Sequence, residues 1–167
     1  MSPRPLAARI VEELTRRDER LAVAESLTGG LLTSAIVDVP GASAVLLGGV
    51  VAYASPVKAS LLGVDAQIIA ERGVIDAEVA RQMARGAATR LAVDGRPAEY
   101  ALATTGVAGP DPQDGHPAGT VWIGLATPTG ERAHELAASG DRPAIRAAAV
   151  DAALELLAEE LGIGARE

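Results

Sequence analysis

The chain has 167 residues, 49% hydrophobic and only 2% aromatic, enough for one domain over 1–167 with a core of small aliphatic side chains. Its net charge of −7 argues against a nucleic-acid binder, which needs a basic face, and leaves room for a small anionic ligand held by a few placed groups. There is no cysteine, hence no disulfide, thiolate metal site or cysteine nucleophile. The first residues carry acids and no apolar h-region, and no apolar run reaches membrane-spanning length, so the expected compartment is the cytoplasm, without membrane contact.

Leu6, Ile10, Val11 and Leu14 recur at helical spacing after Pro3, predicting an amphipathic first helix. A polar break at Arg16–Arg20 precedes the apolar run Leu21–Ala24, which has the length of a buried strand. The strand ends at Glu25-Ser26, and Gly29-Gly30 opens a second helix through Ile36 that Pro40-Gly41 closes. Gly49–Tyr53 reads as a strand. Pro56 then opens a short helix that carries Lys58, Leu61 and Leu62 and stops at Gly63. Asp76 is placed to cap a helix with Val79, Met83, Ala87 and Leu91 at four-residue steps. Gly95 and Pro97 turn the chain into a strand over Tyr100–Thr104, followed by a glycine-rich loop and an Asp/Pro/Gly loop from Asp111 to Ala118. Thr120–Thr127 and Glu131–Ala137 predict a hairpin, and Asp141 caps a last helix with Ile145, Ala149, Leu156 and Leu157 as its inner stripe. Strands alternating with helices, then a hairpin, then a helix, predict an α/β fold. Its mixed, mostly parallel sheet carries helices on both faces and one antiparallel pair.

Four stretches carry possible chemistry. Ala24–Gly30 joins a strand end to a helix start; Ser26 there is either a nucleophile or a cap, and the helix N–H groups favour an anion. Tyr53–Lys58 places both residues at the same sheet edge as Ser26. A serine activated by a lysine is a recognised nucleophile–base pair. Thr105–Pro110 is a second glycine-rich loop on that edge, facing the first across a cleft. Arg142 and Arg146 share a face at the start of the last helix, where cations oppose the helix dipole unless an anion or an acidic neighbour offsets them. His116 and His134 have no metal-ligand spacing, so no metal site is expected.

Lys58 is the only lysine beside 14 arginines. In a chain that uses arginine for its cations, a retained lysine points to a property arginine lacks, the ability to lose its proton and act as a base.

In order along the chain, Ala24-Glu25-Ser26-Leu27-Thr28-Gly29-Gly30, Val51-Ala52-Tyr53 through Val64, Thr105-Gly106-Val107-Ala108-Gly109-Pro110, Gly119-Thr120-Val121 and Ser139–Arg146 resemble the CinA C-terminal domain family. The resemblance covers about residues 5 to 160; the N-terminal molybdopterin-binding-like domain of the longer family members has no counterpart in it. It implies a stand-alone nicotinamide-nucleotide amidase (PncC-like) of three-layer α/β/α fold, commonly a homodimer. The implied reaction converts nicotinamide mononucleotide to nicotinate mononucleotide and ammonia, without cofactor or metal. Carried over by motif, Ser26 is the nucleophile, Lys58 its base, and Tyr53 an assistant. Thr28, Gly29, Gly30, Thr105, Gly106, Ala108 and Gly109 contact substrate, and Arg142 or Arg146 meets the phosphate. Leu27 stands where the family usually has cysteine, Ala54–Val57 replaces a more polar stretch, and Gly48-Gly49 lacks a frequent arginine. The alternatives are a nucleotide-binding module of the same family without turnover, or an amidase for another nucleotide. Lys58 discriminates, because a binding module tolerates arginine there.

Overall fold

The computed structural model describes residues 5–163; Pro3, from which the first helix was read, lies outside them. Helix α1 (Pro5–Arg17) leads into β1 (Leu21–Glu25), α2 (Leu31–Val37), a 3-10 turn at Ala42–Ala44, and β2 (Leu46–Val51). Helices α3 (Ser55–Leu62), α4 (Ala66–Arg72) and α5 (Ala77–Arg90) follow, then β3 (Tyr100–Gly106), β4 (Thr120–Thr127), β5 (Gly130–Ala137) and α6 (Arg142–Glu160). The five strands form one sheet in the order β2-β1-β3-β4-β5. β1 pairs parallel with β2 and β3, while β3–β4 and β4–β5 are antiparallel, so β4 alone runs against the other four.

Alternation along the central strands builds the layers. Leu21 and Val23 of β1, with Tyr100 and Leu102 of β3, point to the face covered by α1, α2 and α6. Their neighbours Ala22, Ala24, Ala101 and Ala103 point to the face covered by α3 and α5. The first face fills its space with large aliphatics. The second uses alanines, so α5 lies close to the sheet, where a Cβ on Gly124 would run into the Ala80 carbonyl, and α5 also lies close to α3, where one on Gly86 would run into that of Leu62. This is how a chain without phenylalanine reaches dense packing: the layers approach each other.

Most elements match the sequence reading, with two differences. β2 is Leu46–Val51 rather than Gly49–Tyr53, because parallel register with β1 pairs Leu21 with Leu46 and Glu25 with Val51. Ala52 keeps one ladder bond, from its N–H to Glu25 O, and Tyr53 leads into α3. Helix α4 was not anticipated; Asp65 caps it by accepting from the Gln67 N–H. Elsewhere Asp76 accepts from Glu78 N–H and Asp141 from Ala144 N–H, as capping residues do, and Gly63 ends α3 in a left-handed conformation.

Because β1, β2 and β3 share a direction, their carboxyl ends share one edge. The chain leaves β1 for a helix on one face and returns to β3 from helices on the other, so the crevice between β1 and β3 is a topological switch point. No helix among the described residues is long and apolar enough to cross a membrane.

Candidate active site

At that edge is a cleft of about 310 Å³, near the lower end of the ~300–1,000 Å³ typical of small-molecule sites. Ser26 follows β1, Tyr53 follows β2, Lys58 lies one turn into α3, Thr105 and Gly106 end β3, Ala108 and Gly109 continue from it, and Arg142 opens α6; all of them line the cleft.

Lys58 is 1% exposed. Its Nζ donates to the carbonyls of Ala52 at 2.8 Å and Tyr53 at 3.2 Å, and lies 3.1 Å from Ser26 Oγ. Among the described residues no carboxylate forms an ion pair with it. Burial therefore pushes its pKa down, to about 8. The three contacts distinguish the protonation states. Two carbonyls can only accept, so they claim two N–H bonds in either state. The third tetrahedral position faces Ser26: an N–H in the ammonium form, a lone pair in the amine. In its neutral form Lys58 would present its lone pair toward the serine hydroxyl. β2 ends at Val51, and just past it the carbonyls of Ala52 and Tyr53 turn to Nζ, while the Ala52 N–H still donates to Glu25 O.

The turn after Ser26 is held from two sides. Glu25, fully buried, accepts from the N–H groups of Gly30 (2.9 Å), Leu32 (3.0 Å) and Thr33 (2.8 Å) and from the Thr33 hydroxyl (2.6 Å). Gly49 makes room for Thr33, whose side chain would collide with a Cβ there. The start of α2, expected to offer N–H groups to an anionic ligand, is already filled by this internal carboxylate. From the other side Arg146 donates from Nε to Leu27 O and from Nη2 to Thr28 O, both at 2.8 Å.

Four residues placed at the substrate by the sequence reading consequently lie outside the cleft lining. Thr28 is buried with its hydroxyl 2.7 Å from that of Thr104, the Gly29 N–H is spent on Ser26 O, the Gly30 N–H on Glu25, and Arg146 on the two carbonyls of the turn. Thr105 borders the cleft, but its hydroxyl donates to Val74 O at 2.6 Å, which ties α5's leading loop to the strand. The N–H groups of Leu27, Ala108 and Gly109, all cleft residues, have no hydrogen-bond partner among the described residues. Arg142 crosses the mouth. It donates to Gly109 O at 2.7 Å and to the Tyr53 hydroxyl at 3.2 Å, and both it and Tyr53 are exposed.

Sequence reasoning missed Glu25 as the anchor of the turn, although an acid between a strand and a glycine-opened helix was the available signal. It also left Ser55, Asp111 and Gln113 out of the cleft, where the Asp/Pro/Gly loop brings the latter two.

Residues 3–161 match the model of the CinA C-terminal domain. A CinA-like protein of Frankia casuarinae is 51% identical over 144 residues, covering 86% of this chain and 32% of the relative. A CinA-like protein of Gloeobacter violaceus is 45% identical over 159 residues, covering 93% of this chain and 36% of the relative. The chain therefore spans about a third of the length of these curated relatives. Among solved structures, a competence-damaged protein (CinA) superfamily protein from Klebsiella pneumoniae superposes with a TM-score of 0.86 at 33% identity, covering 94% of this chain and 96% of that one. The competence/damage inducible protein CihA from Agrobacterium tumefaciens gives 0.85 at 35% identity, covering 94% and 93%. On the sequence match, the shared fold and the motifs gathered at one sheet edge, the chain belongs to the CinA C-terminal domain family.

Proposed function

We propose that the cleft hydrolyses the carboxamide of nicotinamide mononucleotide to nicotinate mononucleotide and ammonia, with Ser26 as nucleophile and Lys58 as base. The observation that carries the reading is the set of three partners around Lys58 Nζ, two obligate acceptors and the serine hydroxyl. An amide is a poor electrophile, so its hydrolysis needs an activated nucleophile and donors for the oxyanion. Neutral Lys58 takes the Ser26 proton as Oγ attacks the carboxamide carbon. The same proton passes to the leaving nitrogen as the C–N bond breaks, releasing ammonia and leaving an ester on Ser26. Water, deprotonated by Lys58 in turn, cleaves the ester and releases the carboxylate. The N–H groups of Leu27, Ala108 and Gly109, without a partner among the described residues, are candidate oxyanion donors, each worth on the order of 3 kcal/mol when aligned. The cationic ring of the substrate draws electrons from the carboxamide and eases attack.

Mixing the protein with nicotinamide mononucleotide, without added metal, tests the reading. Ammonia and nicotinate mononucleotide are expected in equal amounts, and neither from Ser26→Ala. A folded wild-type protein that yields no product, or a Ser26→Ala variant that yields as much, refutes it.

Arg142, exposed at the mouth with a second N–H on each terminal nitrogen, is the residue assigned to the phosphate. Arg142→Ala is expected to raise KM by about 10- to 100-fold, the value of one charge-assisted contact, with kcat within a few-fold of wild type. An unchanged KM removes Arg142 from that role.

A further inference from the structure

We infer that Arg146 is a positioning residue for the oxyanion donor beside the nucleophile, not a substrate ligand; the inference rests on the Ser26 reading above. Both polar contacts of its guanidinium go to the nucleophile turn, Nε to Leu27 O and Nη2 to Thr28 O. The consequence follows from peptide planarity. The Thr28–Gly29 peptide is fixed at both ends: its oxygen by Arg146, its N–H by a 3.1 Å bond to Ser26 O. Ser26 O belongs to the Ser26–Leu27 peptide, two planes back along the chain, whose other end is the unpartnered Leu27 N–H. Holding Thr28 O therefore aims Leu27 N–H through two rigid planes. Leu27 O, held at Nε, fixes the plane between them.

Two further observations agree. Gly29 has φ +57, and a Cβ there would come within 3.2 Å of Arg146 Nη2, so the glycine leaves the guanidinium its approach. Glu25 engages the N–H groups of Gly30, Leu32 and Thr33 while Arg146 engages the carbonyls of Leu27 and Thr28, so the turn is held by an anion on its donors and a cation on its acceptors. The guanidinium fork matches two successive carbonyls, which a lysine ammonium cannot span in the same way.

The experiment compares wild type, Arg146→Ala and Arg146→Lys in steady-state hydrolysis of nicotinamide mononucleotide, with and without millimolar guanidinium, alongside hydrogen exchange of the amides of residues 27–31. Arg146→Ala is expected to lower kcat by about 10²-fold, the effect of a misaligned oxyanion donor, with KM within about threefold. Added guanidinium should restore part of kcat, and Arg146→Lys should fall between the two. A raised KM with kcat retained makes Arg146 a substrate ligand and overturns the inference. So does a loss of kcat that follows the unfolded fraction and does not respond to guanidinium. If wild type itself does not hydrolyse the nucleotide, the functional reading fails separately. The positioning claim is then decided by exchange, which must be faster at residues 27–31 in Arg146→Ala than in wild type; equal rates overturn it.

Discussion

Lys58→Arg is expected to keep the fold and to lose hydrolysis of nicotinamide mononucleotide by about 10³-fold or more, the usual cost of removing a base that acts as a unit with its nucleophile. The cause is protonation. Guanidinium does not deprotonate at any accessible pH, so no lone pair is available to Ser26. Its planar fork also fits poorly where three acceptors surround one tetrahedral nitrogen. Lys58→Met carries the same test with less bulk, removing the base while preserving an unbranched apolar stem. Steady-state ammonia release from both variants, with circular dichroism to confirm folding, decides the matter. Substantial turnover in either variant refutes the base assignment, and with it the reason offered for a single lysine among 14 arginines.

Glu25→Gln is expected to destabilise the protein by about 2–4 kcal/mol, lowering Tm by roughly 5–15 °C. The substitution changes one atom and no volume, which isolates the hydrogen bonding. The carboxylate accepts four donors, two on each oxygen. A carboxamide can present only one oxygen. In its better orientation the oxygen keeps Gly30 and Leu32, and the Thr33 hydroxyl reverses to accept from the new NH2 group. The Thr33 N–H then meets a donor, and both remaining bonds lose their charge assistance. Removing a buried charge recovers desolvation energy, yet here that charge also sits at a helix start, where the peptide dipoles favour it. Thermal denaturation of the two proteins gives the answer; an unchanged or higher Tm in Glu25→Gln contradicts this account of the turn.

These two residues also mark what the sequence could and could not convey. Lys58 stood out by composition, and the order of elements placed it at the same edge as Ser26, Tyr53 and the Thr105–Gly109 loop. Elements with capping residues and clear periodicity, such as α5 and α6, were legible because local rules alone set their limits. β2 begins three residues before the Gly49 that the local pattern indicates, because its bounds depend on register with β1, a long-range property that Leu46-Leu47-Gly48-Gly49-Val50-Val51 does not encode locally. The same holds inside the site. Glycines before a helix do indicate free N–H groups, but whether those groups meet a ligand or an internal acid depends on the direction of the preceding side chain. Glu25, the last residue of β1, turns back onto α2 and fills that place. Arg142 and Arg146 looked equivalent at four-residue spacing. Only the packing of α6 against α2 separates them, sending one to the cleft mouth and the other to the carbonyls of Leu27 and Thr28.

The central claim is that Lys58 acts as a neutral base on Ser26, and the pH dependence of kcat/KM for nicotinamide mononucleotide tests it most directly. Burial holds the Lys58 pKa at about 8, and the proposed mechanism makes the amine the active form. Activity should therefore rise with pH as the ammonium loses its proton, with a slope of one on a logarithmic plot and a plateau above a midpoint near pH 8. A profile without that rise, or one whose activity falls as pH increases through the same range, would contradict it.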